Sequence, residues 1–339
     1  MGKFDTITKQ YISSNERFAD ICNYYLFNGD KVLSPEDLIE QDATELSVIF
    51  SEENILPIQK IRDVLKRAVM KRAGGIMYMI LGIENQRDIH YAMCVRNMLY
   101  DALNYAGQVQ RISAHHKRDK DLKNAEFLSG FAKTDKLAPV ITITLYWKAG
   151  AWNGPRTLHE MLNINNKAIL DYVQDYKLNL IVPDEIKDFN KFNTELKKMM
   201  EFISCSNDAD KIIGFSEMYR DDRLISQEGA RLLNKCFDAK IKIPQEKGAK
   251  VDMCKGIEEY GLLKKAEGVS EGMHKGMHKG MHKGMHKGMR KGMRKGIRVG
   301  KLQMLVDLVR SGDLGLETAA TRAEMSTEEF QNLLVVNGN

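Results

Sequence analysis

Apolar residues recur near helical spacing from Phe4 to Phe27, and Asn28-Gly29 supplies a stop, so the pattern predicts a helix over that span. Ser34-Pro35-Glu36-Asp37 reads as a second helix start, with proline in the first turn. Leu46 to Phe50 is a short strand candidate. Two longer runs, Ile61 to Arg72 and Ile76 to Glu84, flank Gly74-Gly75, which is a hairpin signal. The second run is apolar at successive positions, as a strand covered on both faces would be. Tyr91 to Ile112 returns to helical periodicity, with Met98, Ala102 and Tyr105 among the inward candidates, and Ser113 to Asn124 reads as a polar loop. Pro139 to Trp147 is β-branched and aromatic and predicts another central strand, broken by Asn153-Gly154-Pro155. Residues 156 to about 260 read mainly as helices, with one apolar stretch at Leu178 to Val182.

Helix, hairpin, helix, strand in this order imply an α/β core built on a small central sheet. The tail is a different object. Glycine recurs every four residues from Gly268 to Gly300, and seven similar units start at 272, six of them GMHK or GMRK and the last GIRV. Each glycine costs up to about 1 kcal/mol relative to alanine in a helix, so an isolated repeat helix is poor in water. Lys301 to Arg310 and Leu316 to Ala323 are then periodic apolar helices. Ser326-Thr327-Glu328-Glu329 is a capping-box start for a last helix ending near Val336. The chain therefore divides into a core over 1–155, a helical extension over 156–262, a basic repeat over 263–300 and a small appendage over 301–339.

Composition refines this. Residues 271 to 301 hold ten basic side chains against Glu271 alone, a net of +9, so the rest of a chain with +5 overall carries −4. A basic tail on a mildly acidic body points to a polyanion partner, and nucleic acid is the usual one. Lys275, Lys279, Lys283, Lys287, Arg290, Lys291, Arg294, Lys295 and Arg298 are the residues expected to contact phosphates without sequence preference. A solvated spacer is the plainer alternative for the same repeat, and its four histidines could hold a metal between turns. No apolar run is long enough to span a membrane, no signal peptide is legible, and the five scattered cysteines form no CxxC pair. A reducing cytoplasm is the expected compartment. The appendage has the shape of a helix-turn-helix without a basic recognition face, so it reads as a packing element or as the contact of a homo-oligomer.

The candidate chemistry lies in the hairpin. Glu84 and Gln86 are two apart and share a strand face, and pairing through Gly74-Gly75 would bring Asp63 beside Glu84. Two converging carboxylates suit a hard cation such as Mg²⁺, which keeps several waters, activates one of them and neutralises charge on a phosphate. On spacing alone, the plainer reading of Asp63 and Glu84 is as surface acids at strand ends.

A set of motifs bears on that choice: RDVLK at 62–66, YMILGIENQ at 78–86, HYAMCVRNMLYDALNYAGQV at 90–109, the strand from Leu137-Ala138-Pro139 onward, and WNGPRTLHEML at 152–162. Together they resemble the Rpn family of recombination-promoting nucleases, or transposase-like proteins, of the PD-(D/E)XK superfamily, over residues 15 to 260. The resemblance implies a restriction-endonuclease-like core with a helical C-terminal extension and Mg²⁺- or Mn²⁺-dependent cleavage of DNA. It makes Asp63 and Glu84 the metal-binding acids and Gln86 the third catalytic position, where the superfamily usually carries lysine. Glutamine cannot supply that charge to a pentavalent phosphate.

Asp20 matches a family acid facing the site, and Lys60 could lend a cation; both are accessory candidates. Lys66 and Arg62 fall on the opposite strand face from Asp63, and Asn85 is expected to offer a backbone carbonyl only. Arg96 and Tyr100 share a helix face and read first as packing or surface residues, and His159 as a structural one. The rival function is a nucleic-acid-binding protein that keeps a nuclease fold without catalysis.

Overall fold

The computed structural model describes residues 3–41, 63–72, 75–164, 166–237, 239–246 and 248–336. The chain forms two compact units, Met1–Lys265 and Ala266–Asn339.

The predicted first helix is two, α1 (Lys3–Ile12) and α2 (Asn15–Phe27). The break falls at Ser13-Ser14. The Ser13 hydroxyl turns back to the Lys9 carbonyl at 2.7 Å, the competition with the backbone that makes serine a helix-end residue. The predicted stop is met: Asn28 is left-handed at φ 57° and donates its backbone N–H to Asn23. Ser34 and Asp37 do form a reciprocal cap, but over a single 3₁₀ turn that leads at once into β1 (Leu38–Glu40) rather than into a helix. The Leu46–Phe50 strand candidate lies outside the described residues.

β2 (Val64–Arg72) and β3 (Gly75–Gln86) pair antiparallel from Arg72↔Gly75 to Val64↔Ile83, as the hairpin signal predicts. α3 (Met93–Asp119) follows, then α4 (Asn124–Ser129) and β4 (Val140–Tyr146). The predicted loop at 113–124 is mostly helix. α3 runs on through it until Lys120 turns left-handed at φ 54°. α5 (Lys167–Leu170) precedes β5 (Asn179–Ile181), which accounts for the apolar stretch at 178–182. The five strands form one mixed sheet in the order β1-β2-β3-β4-β5, with β3/β4 and β4/β5 parallel. α6 (Leu196–Cys205), α7 (Ala209–Met218) and α8 (Gln227–Phe237) complete the first unit with a small ladder of β6 (Leu224–Ile225) and β7 (Val251–Asp252). The expected α/β class is thus met: a five-stranded mixed sheet flanked by helices.

The two sheet faces differ. On one, Val64, Ala68, Leu81, Ile83, Ile143 and Leu145 join a continuous core with residues of α1, α2, α6 and α8. The other face is covered by α3 and carries two separate apolar clusters. Leu65, Ile80 and Val140 pack with Tyr105. Tyr146 packs with Met93, Cys94 and Trp152. Between the clusters the same strands present Thr142, Thr144 and Glu84, all fully buried. α3 answers with a polar face of Asn97, Asp101, Asn104 and Gln108. Of the predicted inward set of Met98, Ala102 and Tyr105, Tyr105 does pack on the sheet; the rest is corrected, with Ala102 exposed and Met98 half-buried, because the helix is turned to meet polar strand positions.

α9 (Cys254–Arg310) begins in the first unit and carries the whole GMHK/GMRK repeat as helix. In the second unit, Leu305 and Val306 of α9 pack with Ala319 and Ala320 of α10 (Leu316–Ala323) and Phe330 of α11 (Thr327–Val336). The predicted capping box is present, with Glu329 N donating to Ser326 Oγ at 3.2 Å and Ser326 N to the Glu329 carboxylate at 2.9 Å. Among the described residues no helix is long and apolar enough to cross a membrane.

Candidate active site

Register builds the site. Val64 is opposite Ile83, so Asp63, one residue before β2, reaches the level of Glu84 on the face that looks at α3. The Asn85 N–H donates to Asp63 Oδ2 at 2.8 Å and fixes that approach. Asn85 therefore gives its backbone N–H to Asp63, a role beyond the carbonyl expected of it. Its side-chain oxygen accepts from Trp147 Nε1 at 2.7 Å, which pins the end of β3 to β4. Burial pushes the Asp63 carboxyl above its ordinary value, against the Asn85 amide and the Arg96 charge; Asp5 on α1 adds a like charge.

Glu84 is fully buried. Arg96 Nη2 lies 3.2 Å from its Oε2. Arg96 Nε also donates to the Tyr100 hydroxyl at 2.8 Å. Burial works against the Arg96 charge, but the Glu84 and Asp63 carboxylates and the Tyr100 hydroxyl outweigh it, and the guanidinium is held more firmly protonated than usual. Arg96 and Tyr100 are thus part of the site, which corrects their reading as packing or surface residues. Gln86 is half-buried two residues beyond Glu84 on the same face, and its carbonyl accepts from Trp147 N at 2.8 Å.

Thr144 pairs with Glu84 across β3/β4. Its hydroxyl accepts from Asn97 Nδ2 at 2.9 Å. One step along the strand, the Thr142 hydroxyl donates to Asp101 Oδ1 and the Tyr176 hydroxyl to Asp101 Oδ2, both at 2.6 Å. These residues support the acid pair from the β4 side. Their sequence signal is the alternation of threonine with isoleucine and leucine in β4, which marks a polar row on one face.

The remaining candidates fall elsewhere. Asp20 is buried and accepts from Asn193 N, Thr194 N and the Thr194 hydroxyl at 2.6–2.9 Å, so it orders the approach to α6. No bond joins it to Asp63 or Glu84 among the described residues. Lys60 and Arg62 lie outside the described residues. Lys66 is on the opposite face, as parity predicts, donating to the Ser13 carbonyl and Asn15 Oδ1 and lying 5.3 Å from the Phe18 ring centre. His159 contacts the Val173 carbonyl through Nε2 at 2.7 Å, a structural bond. The cationic repeat residues are all exposed on α9.

Among the described residues no group of three or more His, Cys, Asp or Glu gathers. A metal here would therefore rest on two carboxylates and water. That oxygen-only set is of the kind Mg²⁺ or Mn²⁺ accepts, and Asp63 and Glu84 are the residues that would hold it. Comparison with protein families, with characterised proteins and with solved structures finds no match for this chain.

Proposed function

We propose that the first unit is a restriction-endonuclease-like core that hydrolyses DNA phosphodiesters with Mg²⁺ or Mn²⁺, with little sequence preference, in the manner of a transposase- or recombination-associated nuclease. The observation that carries this reading is the side-by-side placement of Asp63 and Glu84 at one end of β2 and β3, with the Arg96 cation on Glu84. The ion would be held by the two carboxylates and would supply an activated water and charge neutralisation at phosphorus. Asp63 is aimed by the Asn85 amide. Glu84 is faced by the Arg96 guanidinium. Gln86 has no charge to offer a pentavalent phosphate, and Arg96 is the described cation beside the pair, in a position to take that role. Hydrolysis adds the water oxygen to phosphorus and releases the 3′ oxygen as a hydroxyl.

The exposed lysines and arginines of α9 support DNA as the partner, through backbone phosphates. The test is plasmid nicking with Mg²⁺ against EDTA, with wild type and Asp63→Ala side by side. Cleavage only by wild type with metal supports the reading; equal cutting by Asp63→Ala removes the site from it.

One observation favours a second reading. Arg96 already offsets the Glu84 charge, so one of the two carboxylates has its counter-charge without a metal ion. A DNA-binding protein that keeps the fold without cleavage would show retention of plasmid DNA and no nicking.

A further inference from the structure

His274, His278, His282 and His286 occupy one position in four successive repeat units, and from Arg290 onward that position is arginine. The repeat imposes the spacing on every residue type, so spacing alone says nothing about metal. The structure adds the helix. Residues four apart on a helix stand about 5–6 Å apart at Cβ on one side. An imidazole nitrogen binds zinc at about 2.0–2.1 Å, and two side chains one turn apart close on one ion by χ rotation alone. All four histidines are exposed, and no hydrogen bond or ion pair among the described residues engages their rings.

The backbone makes such a bridge consequential. Gly272, Gly276, Gly280 and Gly284 alternate with the histidines and meet nothing within 4 Å of an added Cβ. No packing therefore compensates the helix-weakening of glycine here. A cross-turn ligand pair that exists only in the helical state stabilises that state by mass action.

We propose that this ladder is a binding site for borderline dications of the zinc, nickel and copper type. It takes two per chain, one between His274 and His278 and one between His282 and His286, and each ion fastens the glycine-rich helix across one turn. Water completes the coordination. Copper should displace zinc, following the usual order of divalent affinities. The inference stands apart from the nuclease reading and from the acid pair.

The test uses the full chain at about pH 7.5, titrated with zinc chloride by calorimetry and followed by far-ultraviolet circular dichroism. A chain with all four histidines changed to glutamine sets the uptake elsewhere, including at Asp63 and Glu84, and is subtracted. Two double variants keep the same composition: His274→Gln with His286→Gln leaves the 278/282 pair, whereas His278→Gln with His282→Gln leaves two histidines three turns apart. The parent should take up two ions beyond the fourfold variant and gain helicity. The first double variant should take up one ion. The second should bind at least tenfold more weakly, with no gain in helicity. Equal behaviour of the two double variants, or parent uptake no greater than the fourfold variant, overturns the proposal.

Discussion

The Asn85 amide donates to Asp63 across the β2–β3 pair at 2.8 Å, so one acid of the candidate site is oriented by the backbone beside the other. An asparagine at 63 keeps an acceptor for that amide and loses the anion. Asp63→Asn should leave the folded state within about 1 kcal/mol of the parent by denaturant titration, on the scale of one neutral hydrogen bond. Plasmid nicking should fall to background. Full nicking by this variant would remove Asp63 from the chemistry.

Arg96 and Glu84 form an ion pair with one member fully buried. Removing one partner of such a pair leaves an uncompensated charge, at about 3 kcal/mol or more. Arg96→Met should therefore destabilise strongly, and Arg96→Met combined with Glu84→Gln should recover most of the loss. A double variant no more stable than the single one would show that the two residues are not coupled.

His116 near the end of α3 lies between two carboxylates, Nδ1 2.8 Å from Asp121 and Nε2 2.9 Å from Asp135. The Asp135 bond first, then that to Asp121, raises its pKa. A histidine whose folded pKa exceeds its unfolded one contributes stability that is complete below about pH 6.5 and is lost as pH rises through the folded value. The parent's denaturation midpoint should fall between about pH 6 and pH 9, and His116→Gln should remove that part of the slope. An unchanged slope in the variant would place the titration elsewhere.

The repeat glycines face open space on α9. Gly276→Ala, Gly280→Ala and Gly284→Ala should each strengthen the helix by up to about 1 kcal/mol without a clash. Slower amide exchange across 272–300 in the triple variant is the expected result; unchanged exchange would mean that glycine does not limit the helix.

The hairpin was legible from the Gly-Gly signal between two apolar runs, but its register was not: a two-residue turn at 74–75 would set Asp63 opposite Gln86, whereas Gly75 already pairs with Arg72 and that register carries Asp63 to the level of Glu84. β4 was legible from its β-branched run, whereas β5 showed only as an apolar stretch inside a segment read as mainly helical. The break in the first helix was not, since Ser13 and Ser14 interrupt an apolar rhythm that continues on either side. The inward face of α3 was missed for a related reason. Hydrophobicity marks burial only where the partner surface is apolar, and here Asn97 and Asp101 are inside because Thr144 and Thr142 are opposite them. The part played by Arg96 was hidden in the same way, because a cation's place on Glu84 is fixed by tertiary packing and leaves no trace in local spacing.

The polar row beneath α3 also sets position along the helix axis. Apolar contacts of α3 at Met93-Cys94 and at Tyr105 are non-directional and would tolerate sliding. The Asn97–Thr144 and Asp101–Thr142 bonds are directional, and a shift of one turn, about 5.4 Å, would strand both. They act as an index pin between helix and sheet, and Arg96, next in the chain to Asn97, is delivered over Glu84 by that indexing before the ion pair closes.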